Sequence, residues 1–341
     1  MSTLKDKLRP YYKALKFQLN GANLEFDSES LPWIDRPDAD VAGFLKTFPI
    51  PAGYPYDLKE KLEFWRENGY VILEQALPTA WLDGLWAEVE GVLREPQKHR
   101  IRALVDGVNN NRETQLENIP VEKIGSLGAR LIEYHNSSVG ARKVLAHPNL
   151  VTFLRAILGD DLALLQSLIF KFGSQQGVHQ DFPWVRSNHA SHMAAAWIPM
   201  EDVHPDSGPL FYYPGSHRIP KFNFGTGILY RDTESLRTPA EFEQYLTKTC
   251  EGQGLQKKTL LLKKGDVLFW HAALAHGGGK IANPALSRKS FVVHYSTTRS
   301  YPKHRWETGE STPSENVNGI TIYANPENLA QENSLTGGKD W

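Results

Sequence analysis

From residue 162 to residue 297 the chain is a succession of short apolar runs closed by glycine or proline, and this rhythm restricts the fold more than any other feature. The runs 162–172, 177–182, 193–200, 209–213, 259–262, 266–270 and 288–297 are too short for ordinary helices and read as strands. Helical patterns dominate before them. Asp57 is placed to cap a helix through Leu62 and Trp65 that stops at Asn68-Gly69, and the strand Tyr70 to Leu73 follows. Thr79 opens a second helix with the apolar stripe Leu82, Leu85, Trp86, Val89 and Leu93, closed by Pro96. Helical segments are expected near 121–135 and 139–158, and a mobile polar loop over 100–118, where Asn109-Asn110-Asn111 stand among few apolar anchors. Helices first and short strands afterwards predict a mainly β fold with flanking helices, an antiparallel barrel or sandwich. Residues 218–257 break the strand series with a Gly-rich loop and a helix over 239–250 begun by Thr238-Pro239 with Glu241; an insertion of this size on a barrel rim is expected to act as a lid.

Composition removes several function classes. At 341 residues and 40% hydrophobic content, the chain can bury a large core as one elaborated domain or two. A net charge of -1 gives no global attraction to nucleic acid or anionic membranes. Cys250 stands alone, which rules out an intramolecular disulfide framework and disfavours a cysteine zinc site, so the reducing cytoplasm is the expected location. No run approaches the roughly 20 apolar residues that span a bilayer. Within 1–20, Lys5, Lys7, Arg9, Lys13 and Lys16 interleave with Leu4, Leu8, Tyr12, Leu15 and Leu19. This segment reads as a docking helix or, despite Pro10, a membrane-surface one, and 21–56 as an extended wrap over the body.

The chemistry starts at His179-Gln180-Asp181. On an extended backbone, residues two apart point to one side, so an imidazole and a carboxylate can reach a common point. One more histidine would give two His and one carboxylate, the open-sided triad of non-haem Fe(II) oxygenases. The second such triplet, His204-Pro205-Asp206, sits in a string of turn formers and reads as structural. The third ligand is expected late, and the segment Trp270-His271-Ala272-Ala273-Leu274-Ala275-His276-Gly277-Gly278-Gly279 offers His271 and His276. His276, followed by three glycines that permit close backbone approach to a bound cofactor, is the better placed. Twelve residues on, Arg288 shares one strand face with Ser290, Val292 and His294, and an inward arginine needs an anion, either a protein carboxylate or a dicarboxylate ligand.

His179-Gln180-Asp181, Ser207-Gly208-Pro209 through Pro214-Gly215-Ser216-His217, Gly265-Asp266, His276-Gly277 and Arg288 stand in the order found in the phytanoyl-CoA dioxygenase (PhyH) family of Fe(II)/2-oxoglutarate oxygenases. The chain resembles that family from about Leu58 to Thr298. The resemblance implies a double-stranded β-helix (jelly-roll, cupin-like) domain over 57–300, an N-terminal extension over 1–56 and a C-terminal one over 301–341. It implies iron held by His179, Asp181 and His276, with Arg288 gripping the distal carboxylate of 2-oxoglutarate, and Gln166, Ser290 and Trp197 lining the cosubstrate pocket. The expected reaction uses O2 to hydroxylate or otherwise oxidise a small-molecule C–H bond, releasing succinate and CO2. Asp181 disfavours halogenation, for which family members carry a small residue in its place. Phe182, Trp184 and Arg186 are the candidate substrate contacts, and a polar metabolite or natural-product intermediate is the expected substrate. The protein is expected to be a monomer or homodimer without nucleic-acid or membrane partners. Two other classes share these residues: a non-catalytic β-barrel binding protein, and a zinc hydrolase built on the same triad.

Overall fold

The computed structural model describes residues 24–301 and 312–323, together with Leu4, Leu8, Arg9, Tyr11, Tyr12 and Leu15. Its strands are β1 Tyr70–Leu73, β2 Arg102–Val105, β3 Thr114–Gln115, β4 Ala129–Ile132, β5 Leu162–Phe170, β6 Ala194–Pro199, β7 Leu210–Tyr212, β8 Lys258–Thr259, β9 Val267–His271, β10 His276–Gly278, β11 Ser290–Thr297, β12 Ser314–Val317 and β13 Ile320–Tyr323. The major sheet runs β1-β9-β6-β11-β5-β4-β2-β3, with the β12–β13 hairpin joined to β5, and a minor sheet runs β10-β7-β8. This is the double-stranded β-helix, two facing antiparallel sheets with helices on the outer face of the larger one.

Period-two alternation divides the major sheet into two chemistries. Phe291, Val293 and Tyr295 of β11, with Ile169, Leu131 and Ala103 of its neighbours, face the helices and join Leu82, Val89, Leu150 and Phe153 in one core. The opposite face carries Trp197, Val292, Leu268 and Trp270, which pack with Leu210 and Tyr212 of the minor sheet. The helix Leu58–Asn68 starts at Asp57, whose Oδ1 accepts from the Glu60 amide at 3.1 Å, and ends on Gly69 at φ 72°. The helix Pro239–Gly252 has the expected capping box between Thr238 and Glu241. Asp266 ties the β1 turn to β9, accepting from the Gln75 and Lys263 amides at 2.9 Å each, which gives the Gly265-Asp266 motif a structural role.

Five expectations are corrected. Residues 100–118 hold β2 and β3 rather than a mobile loop. Ile101, Ala103, Val105 and Leu116 are buried, and the three asparagines, at φ 47°, 53° and 58°, make the left-handed turn between the strands. The helix expected over 121–135 is instead two short 3-10 turns around β4. Residues 177–182 form no continuous strand, only a one-residue bridge from His179 to His276. The helix expected over 139–158 divides at Pro148 into Val139–Leu145 and Pro148–Leu158, since proline cannot supply the mid-helix N–H. The described residues of 1–20 are helical but Leu4, Leu8, Tyr12 and Leu15 are exposed, so their apolar side chains do not dock; Leu19 lies outside the described residues. Among the described residues no helix is long and apolar enough to cross a membrane.

The wrap over 24–56 is fastened by polar contacts. The Trp33 indole donates to the Ala156 carbonyl at 2.8 Å, and Lys221, itself buried, pairs its backbone with Leu24. The Lys221 ammonium donates to the His217 and Ile219 carbonyls at 3.0 and 2.7 Å, and burial lowers its pKa to about 8 from 10.5. Between those two values the unfolded chain holds the proton more tightly than the folded one, so stability should rise as pH goes from about 8 toward 10.5. Denaturant unfolding of the wild type relative to Lys221→Met should therefore gain with pH in this window, by at most about 1.4 kcal/mol per pH unit. A flat difference would mean that Lys221 titrates as in an unfolded chain.

Candidate active site

Two backbone hydrogen bonds bring the site together. The His179 amide donates to the His276 carbonyl at 2.8 Å, and the His276 amide donates back at 2.9 Å. The rings lie side by side, centroids 4.3 Å apart. His179 Nδ1 is 2.9 Å from the Gly177 carbonyl, and His276 Nδ1 is 3.0 Å from the Leu274 carbonyl. A carbonyl only accepts, so each Nδ1 carries the proton and each Nε2 keeps a free lone pair. Asp181 is held by its own backbone, whose N–H donates to Ala272 at 3.1 Å, and by the Trp270 indole, which donates to Oδ2 at 2.7 Å. His294 Nε2 lies 3.4 Å from the same oxygen. Oδ1 is thereby left to face both Nε2 atoms, each at 3.6 Å.

These three uncommitted lone pairs are what a cation needs. The ligand atoms lie within 4.8 Å of one another, and ligands about 2.1 Å from a common ion stand roughly 3 Å apart, so sub-ångström adjustments close the site. Protonation is matched to the same end. Burial, followed by the neighbouring His276, lowers the His179 pKa to about 4, so the imidazole is neutral at physiological pH. Burial pushes Asp181 upward, but His276, His294 and His179 outweigh it and hold the carboxyl below its usual range.

A cavity of about 230 Å³ opens beside the triad, lined by Gln166, Trp197, Arg288 and Trp184 among others. Arg288 is 3% exposed, and burial lowers its pKa to about 10. Its Nη1 donates to the Gly208 carbonyl at 3.1 Å, and its guanidinium sits 5.5 Å from the Trp197 ring centre. No carboxylate pairs with it among the described residues. Arg288 Nε, Trp197 Nε1 and Ser290 Oγ are all buried with no hydrogen-bond partner. Buried donors in that state await an acceptor, and a ligand carboxylate fits them.

The other sequence candidates separate. Gln166 and Trp197 line the cavity; Ser290 is fully buried two residues from Arg288 but does not line it. Trp184 stands at the mouth, 39% exposed. Phe182 turns away into a cluster where it meets Phe26 edge-on at 5.1 Å, and Arg186 reaches the Arg231 carbonyl outside the cavity. His271 is committed elsewhere, its Nδ1 accepting from the Ala273 amide at 3.0 Å and its Nε2 facing Asp35 at 3.3 Å. His204 and Asp206 lie on an exposed turn. The glycines after His276 admit protein rather than cofactor, since a Cβ on Gly277 would sit 2.8 Å from the Gln176 carbonyl. From sequence Trp270 has no role and His294 only a place on the inward face of its strand, yet both contact Asp181. A larger cavity of about 800 Å³, lined by Arg36, His217 and His271 among others, brings together no three metal-ligating side chains among the described residues.

A profile of the family described as Phytanoyl-CoA dioxygenase (PhyH) matches residues 65–290. The chain belongs to this family. Family membership together with the triad makes it a non-haem Fe(II)/2-oxoglutarate-dependent dioxygenase, with iron, 2-oxoglutarate and O2 as cofactors. Its relatives are distant. The peroxisomal phytanoyl-CoA dioxygenase of Bos taurus is 20% identical over 272 residues, covering 76% of this chain and 73% of that protein. The ectoine dioxygenase of Nocardia farcinica is 23% identical over 281 residues, covering 79% and 84%. Among solved structures, EctD from S. alaskensis with 2-oxoglutarate and 5-hydroxyectoine superposes with a TM-score of 0.55 at 19% identity, over 89% of this chain and 99% of that one. The carbocyclase SnoK from nogalamycin biosynthesis gives 0.53 at 21% identity, over 73% and 88%. At these identities the likeness of structure speaks for the fold.

Proposed function

We propose that His179, Asp181 and His276 hold Fe(II), that Arg288 holds the distal carboxylate of 2-oxoglutarate, and that the protein hydroxylates a C–H bond of a small polar molecule. The observation that carries this reading is a buried, carboxylate-free arginine in the same cavity as three convergent metal-ligating atoms. Bound iron supplies the coupled chemistry in which O2 and 2-oxoglutarate give succinate, CO2 and an oxidised substrate, one oxygen atom going to each of succinate and product. The chain's own residues prepare it. Trp270 and His294 fix Asp181 so that one oxygen faces the metal position, and Trp197 and Ser290 offer hydrogen bonds near Arg288. Dealkylation or desaturation would begin from the same oxidation. The catalytic unit spans about 57–300, and the single cysteine accords with a cytoplasmic setting.

A zinc hydrolase would leave Arg288 and its orphaned neighbours unexplained, and a binding protein would not need three free lone pairs on one point. Succinate release should require Fe(II), 2-oxoglutarate and O2 together and rise when the right member of a metabolite panel is added. Turnover that persists with zinc and without oxygen would sink the proposal. A further check concerns Trp270, whose ring also packs at 4.8 Å on His276. Trp270→Phe keeps most of that packing but removes the N–H donated to Asp181, so iron affinity by chelator competition should fall about 10- to 100-fold. Unchanged affinity would show that the hydrogen bond does not orient the ligand.

A further inference from the structure

Three arginines stand on the inner face of the major sheet, and their surroundings differ. Arg102 lies between two carboxylates, Glu113 at 2.9 Å and Glu133 in closer contact. Arg288 has none and, on the reading above, receives the cosubstrate. Arg130 lies on β4 between these two, in the register Leu104–Arg130–Phe170–Ser290 that crosses β2, β4, β5 and β11. Paired residues in a sheet point to the same side, and Arg130, Phe170 and Leu104 all line the triad's cavity.

Arg130 has no ion-pair partner among the described residues. Asp106 and Glu113 are close enough for its charge to be felt, yet neither pairs with it, and Glu113 is already joined to Arg102. Burial lowers the Arg130 pKa from its usual value, but an arginine stays charged at physiological pH. A part-buried guanidinium whose neighbouring carboxylates do not pair with it is open to an external anion. The cosubstrate does not supply one here, because its distal carboxylate is taken by Arg288 and its keto-acid end belongs at the metal.

We propose that Arg130 binds an anionic group of the substrate, so that the substrate is a small organic anion whose reacting C–H bond lies between Arg130 and the triad. This rests on the oxygenase reading of the site. The cavity of about 230 Å³ also takes the cosubstrate, so the part of the substrate that enters beside the triad is compact, with the half-exposed Trp184 at the apolar edge of the opening.

Benzoate and benzamide have one shape and differ in charge, which makes them suitable probes. The protein loaded with Fe(II) and saturating 2-oxoglutarate, without oxygen, should bind benzoate about ten-fold or more tightly than benzamide by ligand-observed NMR. Arg130→Gln should erase that preference and Arg130→Lys should keep part of it. Equal binding of the two probes by the wild type, or a preference that survives in Arg130→Gln, overturns the assignment. The visible absorption of the Fe(II)–2-oxoglutarate complex, read in the same samples, separates the two levels. A missing band removes the oxygenase reading and this inference together, whereas an intact band without benzoate preference removes only the role of Arg130.

Discussion

His276→Ala is expected to abolish the visible charge-transfer band formed anaerobically by Fe(II) with 2-oxoglutarate, while His271→Ala retains it. The two histidines are five residues apart on one segment, and only His276 presents a free Nε2 to Asp181 Oδ1, while the Nε2 of His271 faces Asp35. His179→Ala and Asp181→Ala should behave like His276→Ala, with iron affinity reduced by more than about 100-fold, beyond what loss of a supporting hydrogen bond costs. Asp206→Ala should leave the band intact, because its side chain is 56% exposed on a turn. A band that survives in His276→Ala, or vanishes in Asp206→Ala, would relocate the metal. Each variant keeps its fold most readily where the backbone bridge between 179 and 276 needs no side chain, and a circular dichroism spectrum checks that directly.

The second large effect is expected at Arg288. Arg288→Ala should raise the 2-oxoglutarate concentration needed for half-saturation by about 30- to 1,000-fold, the equivalent of about 2–4 kcal/mol for a lost charged bidentate pair. Arg288→Lys should recover part of the loss, since a point charge replaces a fork. Iron binding alone should change little, as Arg288 has no contact with the triad. Thermal stability without cosubstrate should not fall by a comparable amount, because the variant is relieved of burying an unpaired cation. If half-saturation is unaffected, the orphaned donors around Arg288 serve something other than the dicarboxylate.

Where one residue type carried its meaning locally, the sequence was readable. The convergence of His179, Asp181 and His276, with Arg288 buried in the same cavity, is legible because imidazole, carboxylate and inward guanidinium are each unusual beside apolar runs, and the helices with Asp57 and Thr238 caps announce their first turns. The pieces of sheet at β2 and β4 are not legible locally, although Ile101, Ala103 and Val105 alternate as a strand should. They alternate with Arg102 and Leu104, and Arg102, paired with Glu113 and Glu133, together with the three asparagines of the turn gives the segment the composition of a solvent-exposed loop. Phe182 next to Asp181 invited a substrate role, yet the chain turns at Pro183 and sends the ring into the core with Phe26. Trp270 reads as core from sequence, and only the meeting of β9 with the 177–182 loop reveals that its N–H supports Asp181. Contacts of that kind are made by topology, which no local pattern encodes.

The reciprocal amide bonds between residues 179 and 276 carry one more implication. Whatever is inserted in the chain between them, its two ends return to one fixed clasp. The helix Pro239–Gly252 and the turn before it pack their phenylalanines on Val178 and Tyr213, and none of residues 218–257 reaches the cavity wall. The exposed parts of that stretch can vary over evolutionary time while the clasp holds, whereas its buried phenylalanines on Val178 and the Arg231 amide, which donates to the Pro183 carbonyl at 3.0 Å, stay tied to the segment that carries His179 and Asp181. Descendants of this scaffold could acquire new entrances while keeping one reaction centre.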